Sequence, residues 1–176
     1  METLARLIDH AVLKPDSTIA DNETGCRTAL EYQVAGLCVM PCWVEFCAEF
    51  VSRSPVRLGT VIGFPHGSAV TAAKLREAEL ALRDGARELD AVVNFSRVLS
   101  GDWGSVTREI AALTETAHAG GAIVKFIFEN CYLSGADKIR LCRICSEAGA
   151  DFVKTSTGFG PGGALEEVVR LMVDNV

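Results

Sequence analysis

The sequence predicts an α/β protein built on one wound parallel sheet. Six short runs rich in Val, Ile, Leu or Phe recur along the chain, each with the composition of a strand buried on both faces. Stretches of helical period alternate with them. Glycines and capping residues mark the junctions, with no linker or low-complexity segment between units. With 49% hydrophobic residues in 176 positions, the chain is expected to pack as a single domain over residues 1–176.

The first strand is expected over Leu7–Leu13, followed by a helix over Asn22–Gln33. The second strand, Gly36–Met40, leads to a helix over Val44–Val51, and the third, Arg57–Ile62, to one over Ala69–Asp84. Glu88–Asn94 and Gly104–Ala119 form the fourth unit, and Ala122–Phe128 and Ser134–Ala148 the fifth. Asp151–Thr155 and Gly163–Val173 form the sixth. Gly36, Gly85, Gly121 and Gly149 stand where a helix ends and a strand begins, the position at which glycine tolerates a left-handed turn. Ser134, ahead of Asp137 and Lys138, reads as an N-cap. Consecutive βα units wind in one sense by the right-handed crossover rule. An open doubly wound sheet and a (β/α)8 barrel both satisfy this pattern, and six units alone favour the open sheet.

A net charge of −6 argues against a nucleic-acid partner, which normally meets a basic face. Glu2, Arg6, Asp9 and Lys14 interrupt the N-terminal apolar residues, so no secretory segment is expected. No apolar run approaches the ~18 residues a membrane span needs. The expectation is a cytoplasmic protein with no membrane association. Seven cysteines form no secreted framework. Cys142 and Cys145, one helical turn apart, read as small core residues. Neither they nor His10, His66 and His118 offer the second ligand pair of a zinc site, so no metal is expected.

The chemistry concentrates in Asp151-Phe152-Val153-Lys154-Thr155-Ser156-Thr157-Gly158. A lysine at the carboxyl end of a buried strand faces the site-forming end of either architecture. Burial lowers an amine's pKa, and the neutral amine is the form that attacks a carbonyl. A strand-end lysine snorkelling to solvent fits the same residues. Gly158-Phe159-Gly160-Pro161-Gly162-Gly163 matches the spacing of a dinucleotide fingerprint. However, it falls on the last strand, with too little chain after it for a βαβ unit. It reads better as a Gly-rich loop whose N–H groups hold a phosphate, or as a tight turn needing positive φ.

The stretch Lys154 to Gly163 resembles the Schiff-base strand and following loop of the deoxyribose-phosphate aldolases. The similarity continues in Ile8-Asp9-His10-Ala11-Val12-Leu13-Lys14-Pro15 and in Leu37-Cys38-Val39-Met40-Pro41. It extends through Thr60-Val61-Ile62-Gly63-Phe64-Pro65-His66-Gly67 and Glu88-Leu89-Asp90-Ala91-Val92-Val93-Asn94. The fifth strand, Val124-Lys125-Phe126-Ile127-Phe128-Glu129, matches as well. Six motifs in one order are highly specific. The resemblance implies the TIM (β/α)8-barrel family, with six βα units present. It also implies reversible cleavage of 2-deoxy-D-ribose 5-phosphate to D-glyceraldehyde 3-phosphate and acetaldehyde, with no cofactor and no metal.

By the same resemblance Lys154 forms the imine and Asp90 relays the proton. Asp9, Cys38, Lys125, Gly158 and Phe159 line the substrate site. For Lys125 an ion pair with Glu129 or Asp90 is the competing reading. Ala11 and Asn130 stand where many members carry threonine. The chain ends at Val176, before the seventh strand on which the family carries a second lysine, and before most of its phosphate loops. A truncated or fragmentary aldolase is therefore expected. Its first and sixth strands would be unpaired edges, favouring a homo-oligomer. A partner-binding module without catalysis and another imine-forming sugar-phosphate lyase are the rival readings.

Overall fold

The computed structural model describes residues 4–176. Its centre is a six-stranded parallel sheet in the order β1-β2-β3-β4-β5-β6, so every strand pairs with its sequence neighbour. The strands are β1 (Asp9–Val12), β2 (Gly36–Val39), β3 (Arg57–Ile62), β4 (Glu88–Val92), β5 (Ile123–Ile127) and β6 (Phe152–Lys154). The helices are α1 (Ile19–Tyr32), α2 (Val44–Val51), α3 (Thr71–Arg83), α4 (Phe95–Leu99), α5 (Trp103–Ala119), α6 (Gly135–Glu147) and α7 (Glu166–Val173).

One contact decides between the open sheet and the barrel. Neighbouring strands lie about 4.8 Å apart, so β1 and β5 in a flat sheet would be separated by about 19 Å. Yet Lys125 Nζ on β5 sits 2.5 Å from Asp9 Oδ2 on β1. That gap is beyond the combined reach of the two side chains, so the sheet must curl until β1 and β5 face each other. The six units therefore form an arc of barrel wall.

Side-chain alternation sorts the two faces. Leu37, Val39, Leu58, Ile62, Leu89, Ala91, Val124 and Phe126 point outward into the apolar layer beneath the helices. There they meet Cys26, Cys47, Val106, Ile110, Leu113, Leu141, Cys142 and Cys145. Cys142 and Cys145 are core residues, as expected, and burial raises both thiols, that of Cys142 to about 11. Across α3 and α5 the apolar layer is interrupted by a buried ion pair, Lys74 Nζ to Glu109 Oε1 at 2.6 Å. Lys74 also donates to the Val92 carbonyl at 2.8 Å, and Thr71 donates to Glu109 at 2.9 Å, so the pair is well satisfied.

The helix starts follow capping chemistry. Ser134 caps α6, accepting from Asp137 N while the Asp137 carboxylate accepts from Ser134 N. Thr18 and Asp21 form the same reciprocal box at α1, which therefore starts three residues before the expected Asn22.

Other departures have local causes. Leu4–Leu7 forms a 3-10 turn, so β1 starts at Asp9 and leaves Leu7 exposed. Asn94 ends β4 early by capping α4, accepting from Arg97 N at 3.2 Å, and α4 itself is too short to show a period. Gly85, Gly121 and Gly149 adopt positive φ as expected, but Gly36 does not. The left-handed residue closing α1 is Gln33, at φ 50°. Gly36 instead opens β2, where a Cβ would come within 2.8 Å of Asp9 Oδ1. Its small size makes room for that carboxylate.

Among the described residues β1 pairs only with β2, and β6 only with β5. Ile8 and Phe152, beside these two edges, are 45% and 55% exposed. Among the described residues no helix is long and apolar enough to cross a membrane.

Candidate active site

The inner face of the arc carries the charged residues that the outer face excludes. β4 contributes Glu88 and Asp90, two positions apart and hence on one face. β5 contributes Lys125, whose backbone lies in register with Asp90. β6 ends in Lys154, in register with Ile127. β1 adds Asp9 and β2 adds Cys38.

Lys154 Nζ donates to Asp90 Oδ2 at 2.5 Å. Asp90 is almost wholly buried, whereas about a third of the Lys154 side chain remains accessible (3% and 35%). Lys125 Nζ lies between three carboxylates, at 2.5 Å from Asp9, 2.7 Å from Glu88 and 3.9 Å from Asp90. Glu88 also meets the Arg57 guanidinium at 3.4 Å on the neighbouring strand. The face thus holds three carboxylates and two ammonium groups in one connected network.

The charge states follow from competing effects. Burial disfavours the Lys154 ammonium, but the Asp90 charge and hydrogen bond outweigh it, so its pKa stands above the ordinary lysine value. This corrects the expectation of a neutral amine made by burial alone. Desolvation is real here, yet smaller than pairing at 2.5 Å. Burial opposes the Lys125 ammonium too, and Asp90, Asp9 and Glu88 together hold its pKa well above normal. Burial first, and then the Asp90 charge, push the Cys38 thiol far up, leaving it protonated.

Lys125 does pair with carboxylates, but not with Glu129. Glu129 has a left-handed backbone, φ 53°, that turns its side chain away from Lys125 and towards the loop after β6. For a non-glycine residue that conformation costs on the order of 1–2 kcal/mol. There Glu129 accepts from Thr157 N, at 3.3 Å to each oxygen, and from the Thr157 hydroxyl. Asp9, expected against substrate, is engaged with Lys125 and half-buried.

Gly158 has φ 87°, which makes it the turn residue of the loop, and Phe159 follows it half exposed. The Phe159 ring stands edge-on to Phe64 from the β3–α3 loop, at 5.3 Å and 88°. Asn130 points away from the site, donating to Met172 Sδ at 3.2 Å. Ser156 Oγ is buried without a hydrogen-bond partner among the described residues.

Glu88 on the inner face was passed over by sequence reasoning, as was the contact of Glu129 with Thr157 beside it. Glu88 was legible, because Glu88-Leu89-Asp90 on a strand puts two acids on one face. Glu129 was not, since its direction depends on a backbone conformation that glutamate seldom adopts.

A family profile described as DeoC/LacD family aldolase matches residues 3–175. The chain belongs to the DeoC/LacD family of aldolases. A deoxyribose-phosphate aldolase from Rhodopirellula baltica is 50% identical over 169 residues, spanning 96% of this chain and 70% of that protein. One from Thermococcus gammatolerans is 47% identical over 171 residues, spanning 96% of this chain and 76% of that protein. Among solved structures, the tetrameric deoxyribose phosphate aldolase from Aeropyrum pernix superposes with a TM-score of 0.90 at 33% identity. That match covers 98% of this chain and 72% of the other. The arc of six units is thus the corresponding part of a DeoC/LacD aldolase barrel, and the resemblance read from the motifs holds along the whole chain.

Proposed function

We propose that this chain catalyses the reversible cleavage of 2-deoxy-D-ribose 5-phosphate through a Schiff base on Lys154. The observation that carries the reading is the Lys154–Asp90 pair, an amine 2.5 Å from a buried carboxylate on the inner wall of an aldolase barrel. Transfer of a proton from Lys154 to Asp90 frees the amine lone pair. The amine adds to the C1 carbonyl, and the carbinolamine loses water to give a protonated imine.

Acetaldehyde keeps two of the five carbons, so the bond that breaks is C2–C3. A base removes the 3-hydroxyl proton, the C2–C3 electron pair moves into the iminium, and D-glyceraldehyde 3-phosphate departs. A neutral enamine remains. Protonation at C2 regenerates the imine, and water releases acetaldehyde and returns Lys154. Asp90, through a water, suits the proton transfers. Lys125, fixed as an ammonium, offers positive charge beside the hydroxyl-bearing carbons, and Asp9 and Glu88 act by holding it there. Cys38, protonated, is a wall of the site. The loop from Gly158 to Gly160 receives the phosphate on its free N–H groups.

The same reading takes residues 1–176 as one domain of a cytoplasmic enzyme that self-associates. The tetrameric assembly of the Aeropyrum pernix relative supports association. Borohydride added with acetaldehyde tests the chemistry. A reduced ethyl adduct on Lys154, found by peptide mass mapping and absent in Lys154→Ala, is the expected result. Labelling chiefly at Lys125, or unchanged labelling in Lys154→Ala, would overturn the assignment.

A further inference from the structure

Glu129 takes no part in the chemistry just described, yet it is one of the most completely buried acids in the chain, 2% exposed. Its neighbours on both sides are tied to the strand that carries the nucleophile. Phe128 N donates to the Lys154 carbonyl at 3.0 Å, and Asn130 N donates to the Thr155 carbonyl at 2.9 Å. Between them, the Glu129 carboxylate takes both donors of Thr157, its N–H and its hydroxyl. The three residues that follow β5 thus grip three of the four residues from Lys154 to Thr157.

The grip has a direction. An ionised carboxylate only accepts, so the Thr157 hydroxyl must give its proton to Glu129. Its lone pairs then face the other way, and Thr157 Oγ1 accepts the N–H of Phe159 at 3.0 Å. This folds the loop back over Gly158 and brings the Phe159 ring against Phe64. Gly160 completes the fit, since a Cβ there would come within 3.0 Å of Glu129 Cδ. Among the described residues the N–H groups of Gly158 and Gly160 have no partner, so the loop held in this shape keeps donors available.

We propose that Glu129 is a positioning residue for substrate recognition: through Thr157 it sets the loop after β6 in the shape that favours a phosphorylated sugar over its unphosphorylated counterpart. The proposal rests on the aldolase reading above and assigns Glu129 no contact with the reacting atoms. Glutamine at this position cannot replace the carboxylate, because its amide group turns a donor towards one of the two Thr157 donors.

Cyanoborohydride trapping on Lys154 tests this without requiring turnover. Half-saturating concentrations are compared for 2-deoxyribose 5-phosphate and 2-deoxyribose, with acetaldehyde as the control. In the unaltered chain the phosphorylated sugar should trap at the lower concentration. In Glu129→Gln and in Thr157→Val that preference should fall at least about tenfold, the scale of a lost hydrogen bond to a charged group. Acetaldehyde trapping should stay unchanged in both, and Thr157→Ser, which keeps the hydroxyl, should retain the preference. An equal loss for all three aldehydes would mean that Glu129 serves only folding and would overturn the proposal. So would an unaltered chain with no preference for the phosphorylated sugar. Absence of acetaldehyde trapping on Lys154 in the unaltered chain would instead remove the aldolase reading itself. Thr157→Val, which leaves Glu129 in place, decides the matter if Glu129→Gln does not fold.

Discussion

Replacing Asp90 with asparagine should shift the pH at which Lys154 becomes reactive. In the folded chain, burial and the Lys125 charge both lower the Lys154 pKa, and Asp90 more than reverses them. Asparagine keeps the shape and removes the charge. An opposite charge at this distance is worth about 1–3 pKa units. Lys154 is about one-third exposed, so solvent screening favours the lower end, about one unit. Each unit enlarges the neutral amine about tenfold at neutral pH. The assay is the pH dependence of acetaldehyde trapping on Lys154, read as the midpoint and not as the absolute rate, because Asp90 also serves the dehydration step. In Asp90→Asn the midpoint should move towards neutrality by about one unit or more, while turnover of the sugar phosphate falls. A midpoint that stays in place, or moves to higher pH, would show that Asp90 does not set the charge on Lys154.

Lys125→Met should destabilise the fold by about 3–5 kcal/mol in urea titrations, because three carboxylates lose their shared counter-charge. Lys74→Met should cost a similar amount by stranding Glu109, and adding Glu109→Leu should recover most of it, as a double-mutant cycle would record. Lys125 and Lys154 both have pKa values raised by folding, so their pairs stabilise the chain fully below the unfolded lysine pKa of about 10.4. That stability is lost as pH rises through the folded values, and urea midpoints on the two sides of about pH 10.4 should reveal the decline. Light scattering should find a dimer or larger species; a cooperatively unfolding monomer would contradict self-association.

The sequence showed the order of elements well because buried parallel strands are continuous apolar runs with glycine stops, as at Gly85, Gly121 and Gly149. It failed where one interaction overrides a pattern. Gly36 looked like a helix stop, but its conformation is ordinary and its size serves Asp9. Asn94 looked like strand, but its side chain caps α4. On the inner face, Lys154 and Asp90 were picked out by motif, while the charge on Lys154 was misjudged, since burial can be guessed from sequence but a 2.5 Å partner cannot. Curvature was invisible to periodicity, which describes each strand and not the angle between strands.

The strand order has a consequence for how the molecule is made. Because each strand docks beside the one before it, the sheet can be laid down like a staircase during synthesis, each step needing only the previous tread. The longest tie breaks this local rule: Lys125 to Asp9, across 116 positions of sequence. It cannot form until β5 has been added, and when it closes it acts as a clasp, turning a ribbon of paired strands into a bowl. Until that moment, Lys125 and the two β4 acids lie on a shallower and wetter surface. The charged inner face is thus a late acquisition of the folding chain, delayed until after the β-ladder from β1 to β5 is complete.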